Sequence, residues 1–186
     1  MTAASDALLD RCLDVLRRTG FSQLSLREIA AEVGTSHRML IYHFGSREGL
    51  LTEVVRSVEK DQLAALQTVQ DVRLLWERLS DPALWPAERL FFEVYAGALL
   101  GRPGTEGFAR SVVEPSIAAI ASFLTEAGHD SATAPVQARL GLAVTRGLLL
   151  DLLATGDRDG VSAAYELHLK LAGFGQLAGG DGGGPG

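Results

Sequence analysis

Cysteine is almost absent from this chain. Cys12 stands alone, so no disulfide can close within it. It falls at helical spacing with Leu8, Leu9 and Leu16, which reads as a core position, a redox sensor being the alternative. No apolar run approaches the roughly 20 residues that span a bilayer as a helix. The opening residues, MTAASDALLD, hold no basic region ahead of an apolar core, so no secretory signal is expected and the cytoplasm is the expected location. Enzyme signatures are missing too: there is no glycine-rich phosphate loop, no nucleophile elbow and no HExxH. The four histidines, His37, His43, His129 and His168, share no metal-ligand spacing with one another or with Cys12. Neither a catalytic site, a metal nor a cofactor is therefore expected. Strand-like alternation and internal repeats are also missing, which leaves an all-α chain of about nine helices.

What the chain does hold is apolar surface. Hydrophobic residues make up 47% of it and charged residues 22%, enough for a sizeable core in a soluble helical protein of 186 residues. The net charge of −6 is unevenly spread. Residues 1–56 carry seven Arg and seven acids, whereas residues 57–186 carry ten Lys or Arg against sixteen acids. All the excess acidity belongs to the larger, C-terminal part, so net charge says little about what the N-terminal part binds.

The organising stretch is SLREIAAEVGTSHRMLIYHFGSREGLL, residues 25–51. Leu26, Ile29, Ala30 and Val33 form one buried face of a short helix. Ser25 and Glu28 have the spacing of a capping box, and Gly34 stands where a left-handed residue ends a helix. Thr35 or Ser36 then caps a second helix running to about Phe44. Two short helices joined at a glycine make a helix-turn-helix. The second is too short to be stable alone, so Leu40 and Phe44 must anchor it. His37, Arg38, Tyr42 and His43 are left on exposed faces. No acid occurs from Val33 through Arg47, which suits a phosphate-lined groove. A solvated surface helix of some other bundle is the alternative.

These residues resemble the DNA-binding segment of tetracycline-repressor (TetR) family regulators. The resemblance runs through Ser25, Ile29-Ala30, Gly34-Thr35-Ser36, Leu40-Ile41-Tyr42-His43-Phe44 and Arg47-Glu48-Gly49-Leu50, and covers about residues 8–56. Two positions depart from it. Arg38 stands where the family has a small residue, often Gly, and Ile41 stands where it usually has Tyr. The resemblance implies that Arg27, His37, Arg38 and Met39 face the major groove, and that Ser25, Tyr42, His43 and Arg47 hold phosphates. Packing against the first helix is the alternative for Tyr42 and His43. It further implies a homodimer reading a palindromic operator in double-stranded DNA, and a small-molecule effector that shifts the spacing of the two heads.

The remaining chain reads as helices separated by turns. Leu8, Leu9, Cys12, Leu13, Val15 and Leu16 lie on a first amphipathic helix ended by Gly20, with Phe21 and Leu24 plugging the core behind it. The expected division is a helix-turn-helix domain over 1–46, a connecting helix over about 47–67 with Leu63 and Leu66 continuing its apolar face, a ligand-binding and dimerisation domain over 47–178, and a disordered glycine-rich tail over 179–186. Pro82, the 101–104 turn, Gly128 and the turn at 155–157 punctuate the larger domain; Pro115 is an expected kink and the last helix is expected to reach about 177.

Two surfaces are expected there. Leu148, Leu149, Leu150, Leu152 and Leu153 surround nearly a whole helix, which must be buried on all sides. A dimer through the last two helices follows, with Gly141, Gly147, Leu148, Leu152, Tyr165 and Leu169 at the interface, Leu167 and Leu171 beside them; an interior helix of a monomer is the alternative. The resemblance agrees, implying a four-helix bundle between partners. A ligand pocket is expected around Trp76, Trp85, Phe92, Tyr95, Phe108, Glu114 and Arg146, with Glu93 also expected to be buried; plain aromatic core is the alternative. The sequence reading is thus a ligand-released repressor, or else a ligand-binding or scaffold protein with a degenerate reading head.

Overall fold

The computed structural model describes residues 3–67 and 71–173. The packing of Leu63 and Leu66, the expected last helical turn beyond 173 and the glycine-rich tail lie outside the described residues. Among those described, the regular structure is entirely helical. It comprises α1 (Ala3–Thr19), α2 (Leu26–Glu32), α3 (His37–Phe44), α4 (Arg47–Gln67), α5 (Val72–Leu79), α6 (Trp85–Leu99), α7 (Phe108–Glu126), α8 (Ala134–Thr155) and α9 (Arg158–Leu171), with one 3-10 turn at Pro82–Leu84.

The head, α1 to α3, is built by local chemistry. Ser25 Oγ accepts from Glu28 N–H at 3.3 Å, and the Glu28 carboxylate accepts from Ser25 N–H at 2.7 Å. Both halves of the capping box are therefore made. Gly34 sits at φ 67°, a backbone conformation costly for any residue with a Cβ. Of the two candidate caps it is Ser36 that serves, accepting from Met39 N–H at 3.2 Å. Leu40 is fully buried and Phe44 nearly so, each contributing about 1.5–3 kcal/mol that holds an eight-residue helix in place. Arg11 donates to the carbonyl of Val33 at 3.1 Å and so satisfies the end of α2 from α1.

The head is not a separate core. Its buried residues, among them Leu16, Phe21, Ile29 and Leu40, form one continuous cluster with Val54 of α4, Phe91 and Val94 of α6, and Phe108 and Val112 of α7. A boundary at residue 46 therefore marks where α4 leaves the head, with no break in the packing. In the body, α7 lies against α4 and α8, and α8 against α9. A second cluster joins Trp76 to Leu149, Leu152, Val161, Tyr165 and Leu169, with the Trp76 and Tyr165 rings stacked at 4.5 Å. Proline positions follow the chain's punctuation: Pro86 lies in the first turn of α6 and Pro115 inside α7, which continues through it.

Candidate nucleic-acid interface and effector cavity

The second helix of the helix-turn-helix presents an outward face. Arg27 on α2 and His37, Arg38 and Met39 at the start of α3 are all exposed, and Arg27, His37 and Arg38 make no hydrogen bond or ion pair with any described residue. Tyr42 is 78% exposed, so it does not pack on the first helix; Ile41 beside it is 38% exposed. His43 is half-buried, its ring edge-on to Tyr42 at 5.1 Å. Ser25 is exposed while its oxygen serves the cap.

Arg47 departs from the role the resemblance implies. Its guanidinium turns inward, donating to the carbonyls of Phe21 at 2.8 Å and Leu24 at 3.3 Å, and lies 4.3 Å from the centre of the Phe21 ring. In this arrangement it clamps the α1–α2 loop, and a phosphate would have to draw it out of that site.

The same loop is held from the body. Glu93 of α6 accepts hydrogen bonds from Phe21 N–H at 2.8 Å, from Ser22 N–H at 2.6 Å and from the Ser22 hydroxyl. Arg102 pairs with Glu93 at 3.8 Å and donates to Ser22 Oγ at 3.2 Å. Glu93 stands out in the sequence as a polar group on an apolar helix, but its partner, a backbone some 70 residues away, leaves no local signal.

A cavity of about 320 Å³ opens between α7, α8 and α9 with the start of α5, lined by Val72, Ile120, Phe123, Gln137, Tyr165 and His168 among others. None of Trp76, Trp85, Phe92, Tyr95, Phe108, Glu114 or Arg146 lines it. Trp76 is stacked on Tyr165 and donates to Ser162 Oγ; Trp85 donates to the Ser80 carbonyl; Phe92, Tyr95 and Phe108 pack into the clusters above. Glu114 is exposed and pairs with Arg110 on the surface, correcting the expectation of burial. Arg146 sits half-buried over the Phe91 and Tyr95 rings at 5.6 and 5.1 Å, and burial lowers its pKa. These aromatic residues are core, the alternative left open by the sequence.

The expected dimer residues fall on different faces of the single chain. Leu152, Tyr165 and Leu169 are buried within one chain, Leu148 is half-buried, and Gly141 lines the cavity. Only Gly147 is exposed. The outward face of α8 instead carries Val136, Leu140, Ala143, Gly147, Leu150 and Ala154, spaced by three or four residues along one stripe. Leu167 at 57% and Leu171 at 80% exposure continue it on α9. An apolar helix had to be buried on all sides, but periodicity does not say which side meets its own chain.

Among the described residues, no group of three or more His, Cys, Asp or Glu could hold a metal ion, and no helix is long and apolar enough to cross a membrane.

A helix-turn-helix head carried on a helical body defines the architecture. Residues 8–54 match the family of bacterial regulatory proteins, tetR family. The chain belongs to that family. It is 31% identical over 137 residues to the HTH-type transcriptional regulator RutR of Escherichia coli O157:H7, an alignment covering 67% of this chain and 63% of RutR. The chain thus spans a little under two thirds of that relative's length. Its fold is similar to a transcriptional regulator from Rhodococcus sp. Rha1, with TM-score 0.77, 20% identity and coverage of 92% of this chain and 96% of that one. It is also similar to the multidrug binding protein EbrR complexed with proflavin, with TM-score 0.63, 24% identity and coverage of 88% and 96%.

Proposed function

We propose that the protein is a cytoplasmic, DNA-binding transcriptional regulator that acts as a homodimer on a palindromic operator and is released by a small-molecule effector. The observation that carries this reading is the outward face of α3. His37, Arg38 and Met39 stand free at the start of capped α3, in a stretch without a carboxylate from Val33 to Arg47, with Arg27 exposed on α2. Arg38 supplies two N–H groups in the geometry that pairs with guanine O6 and N7. Tyr42, His43 and Ser25 serve as phosphate contacts that set register. Arg47 has the smaller part in this, since its donors already hold the loop.

The dimer forms through the stripe of Val136, Leu140, Gly147 and Leu150 on α8 with Leu167 and Leu171 on α9. A contiguous apolar face of this kind is unfavourable in water, and the small residues within it allow a second helix close approach. Two heads then address half-sites about one helical turn, or more, apart. The RutR relative and the EbrR complex support the regulator and effector parts of the reading.

Selection of random duplexes on the purified protein tests it. The expected result is a recovered palindrome bound by two chains and weakened by raised salt. Failure to enrich any sequence at low salt, with and without candidate effectors, would favour the helical scaffold with a degenerate head, to which the exposed Ile41 would then belong.

A further inference from the structure

The cavity between α7, α8 and α9 has a composition that selects its occupant. At about 320 Å³ it lies at the small end of the range for small-molecule sites, roughly 300–1,000 Å³. Its walls are mostly apolar, with Leu75, Ile120, Phe123, Leu124 and Leu169 prominent, and no Asp, Glu, Lys or Arg is among its lining residues. A charged ligand would give up its hydration there without gaining a counter-charge.

Four polar side chains reach this space, and two are already engaged. Thr145 Oγ1 donates to the Gly141 carbonyl at 2.9 Å, and Tyr165 OH donates to the Val72 carbonyl at 3.1 Å. Gln137 is exposed at the rim. His168 is half-buried and its ring hydrogen-bonds to no described residue; burial lowers its pKa, so near neutral pH the ring offers one N–H and one lone pair.

We propose that this cavity takes an uncharged, largely apolar molecule of two or three rings bearing a hydrogen-bonding group, anchored by His168 and Gln137. The proposal deepens the effector reading above and rests on it for its consequence. α7 links the site to the head: Ala119, Ile120, Phe123 and Leu124 line the cavity, while Phe108 and Val112 at the other end of the helix lie in the core shared with α1 to α4. A ligand that fits one setting of α7 better than another shifts the head with it.

The probe is N-phenyl-1-naphthylamine, an uncharged dye with one N–H, titrated by fluorescence into the purified full chain. Proflavin, a cationic ring system, is the charge control. Gly141 lies in a helix with ordinary φ, and a Cβ there meets only His168 Nε2, at 3.9 Å. Gly141→Leu therefore pushes a side chain into the cavity, and Ala119→Leu does so from the facing helix should the first variant fail to fold. Expected are saturable binding of one dye per chain, a loss of about tenfold or more in either plugged variant, a loss of a few-fold in His168→Ala, and wild-type affinity for proflavin at least about tenfold weaker. Unchanged dye affinity in a folded plugged variant would overturn the site, and proflavin binding as tightly as the uncharged dye would overturn the ligand class. Duplex binding is measured separately: dye without duplex keeps the site and removes the regulator reading, whereas duplex without dye does the reverse.

Discussion

Cys12 shows how a single residue's surroundings settle its chemistry. It is fully buried in α1, and desolvation pushes its thiol up to about 11. The thiolate is the reactive form, so near pH 8 almost none is present. Modification by a thiol reagent should therefore require unfolding and rise steeply with denaturant, whereas rapid labelling of the native protein would restore the redox alternative. The two candidate phosphate contacts at Tyr42 and Arg47 should separate in the same way. Tyr42→Ala removes an exposed side chain and should change stability by less than about 0.5 kcal/mol while weakening DNA binding. Arg47→Ala removes two charge-assisted hydrogen bonds and a ring contact, and should cost about 1.5–3 kcal/mol in denaturant melts.

At the scale of the element, the caps govern whether the short helices form. Ser36→Ala should cost about 1 kcal/mol, because α3 has few other local supports. Hydrogen bonds from Ser25 hold the Glu28 carboxyl below its ordinary value of 4.5. A depressed folded pKa means stability that is present at neutral pH and lost as pH falls through the folded value. Ser25→Ala should thus flatten the acid limb of stability below about pH 4.5, and an unchanged limb in urea melts would contradict this. These elements were legible in the sequence because each signal lies within a few residues: Ser25 to Glu28, Gly34, Ser36. The inward turn of Arg47, the reach of Glu93 to Phe21 and Ser22, and the surface pairing of Glu114 were not, since each depends on a partner set by tertiary packing. The cavity between α7, α8 and α9 was hidden for the same reason. Aromatic spacing along α6 marked a core, while the cavity arose from helices that meet only in the fold.

Across the whole molecule, head and body share one core and one polar clasp, so the reading surface is not independent of what α6 and α7 do. Glu93→Gln should speed hydrogen exchange at the Phe21 and Ser22 amides more than in α8, and exchange raised equally everywhere would make Glu93 an ordinary stabilising residue. Leu150→Arg places charge on the outward stripe of α8 and should yield monomers in sedimentation that have lost the palindrome. The most direct test of the central claim is the affinity of the selected duplex against a scrambled one across a salt series, for the wild type and Arg38→Ala. The wild type should prefer the selected duplex, its affinity falling linearly in log–log form with salt, and Arg38→Ala should lose about 1–3 kcal/mol of discrimination at one base position per half-site while keeping most of that salt slope. Equal affinity of the wild type for both duplexes, or no change in preference on removing Arg38, would contradict a reading head built on the start of α3.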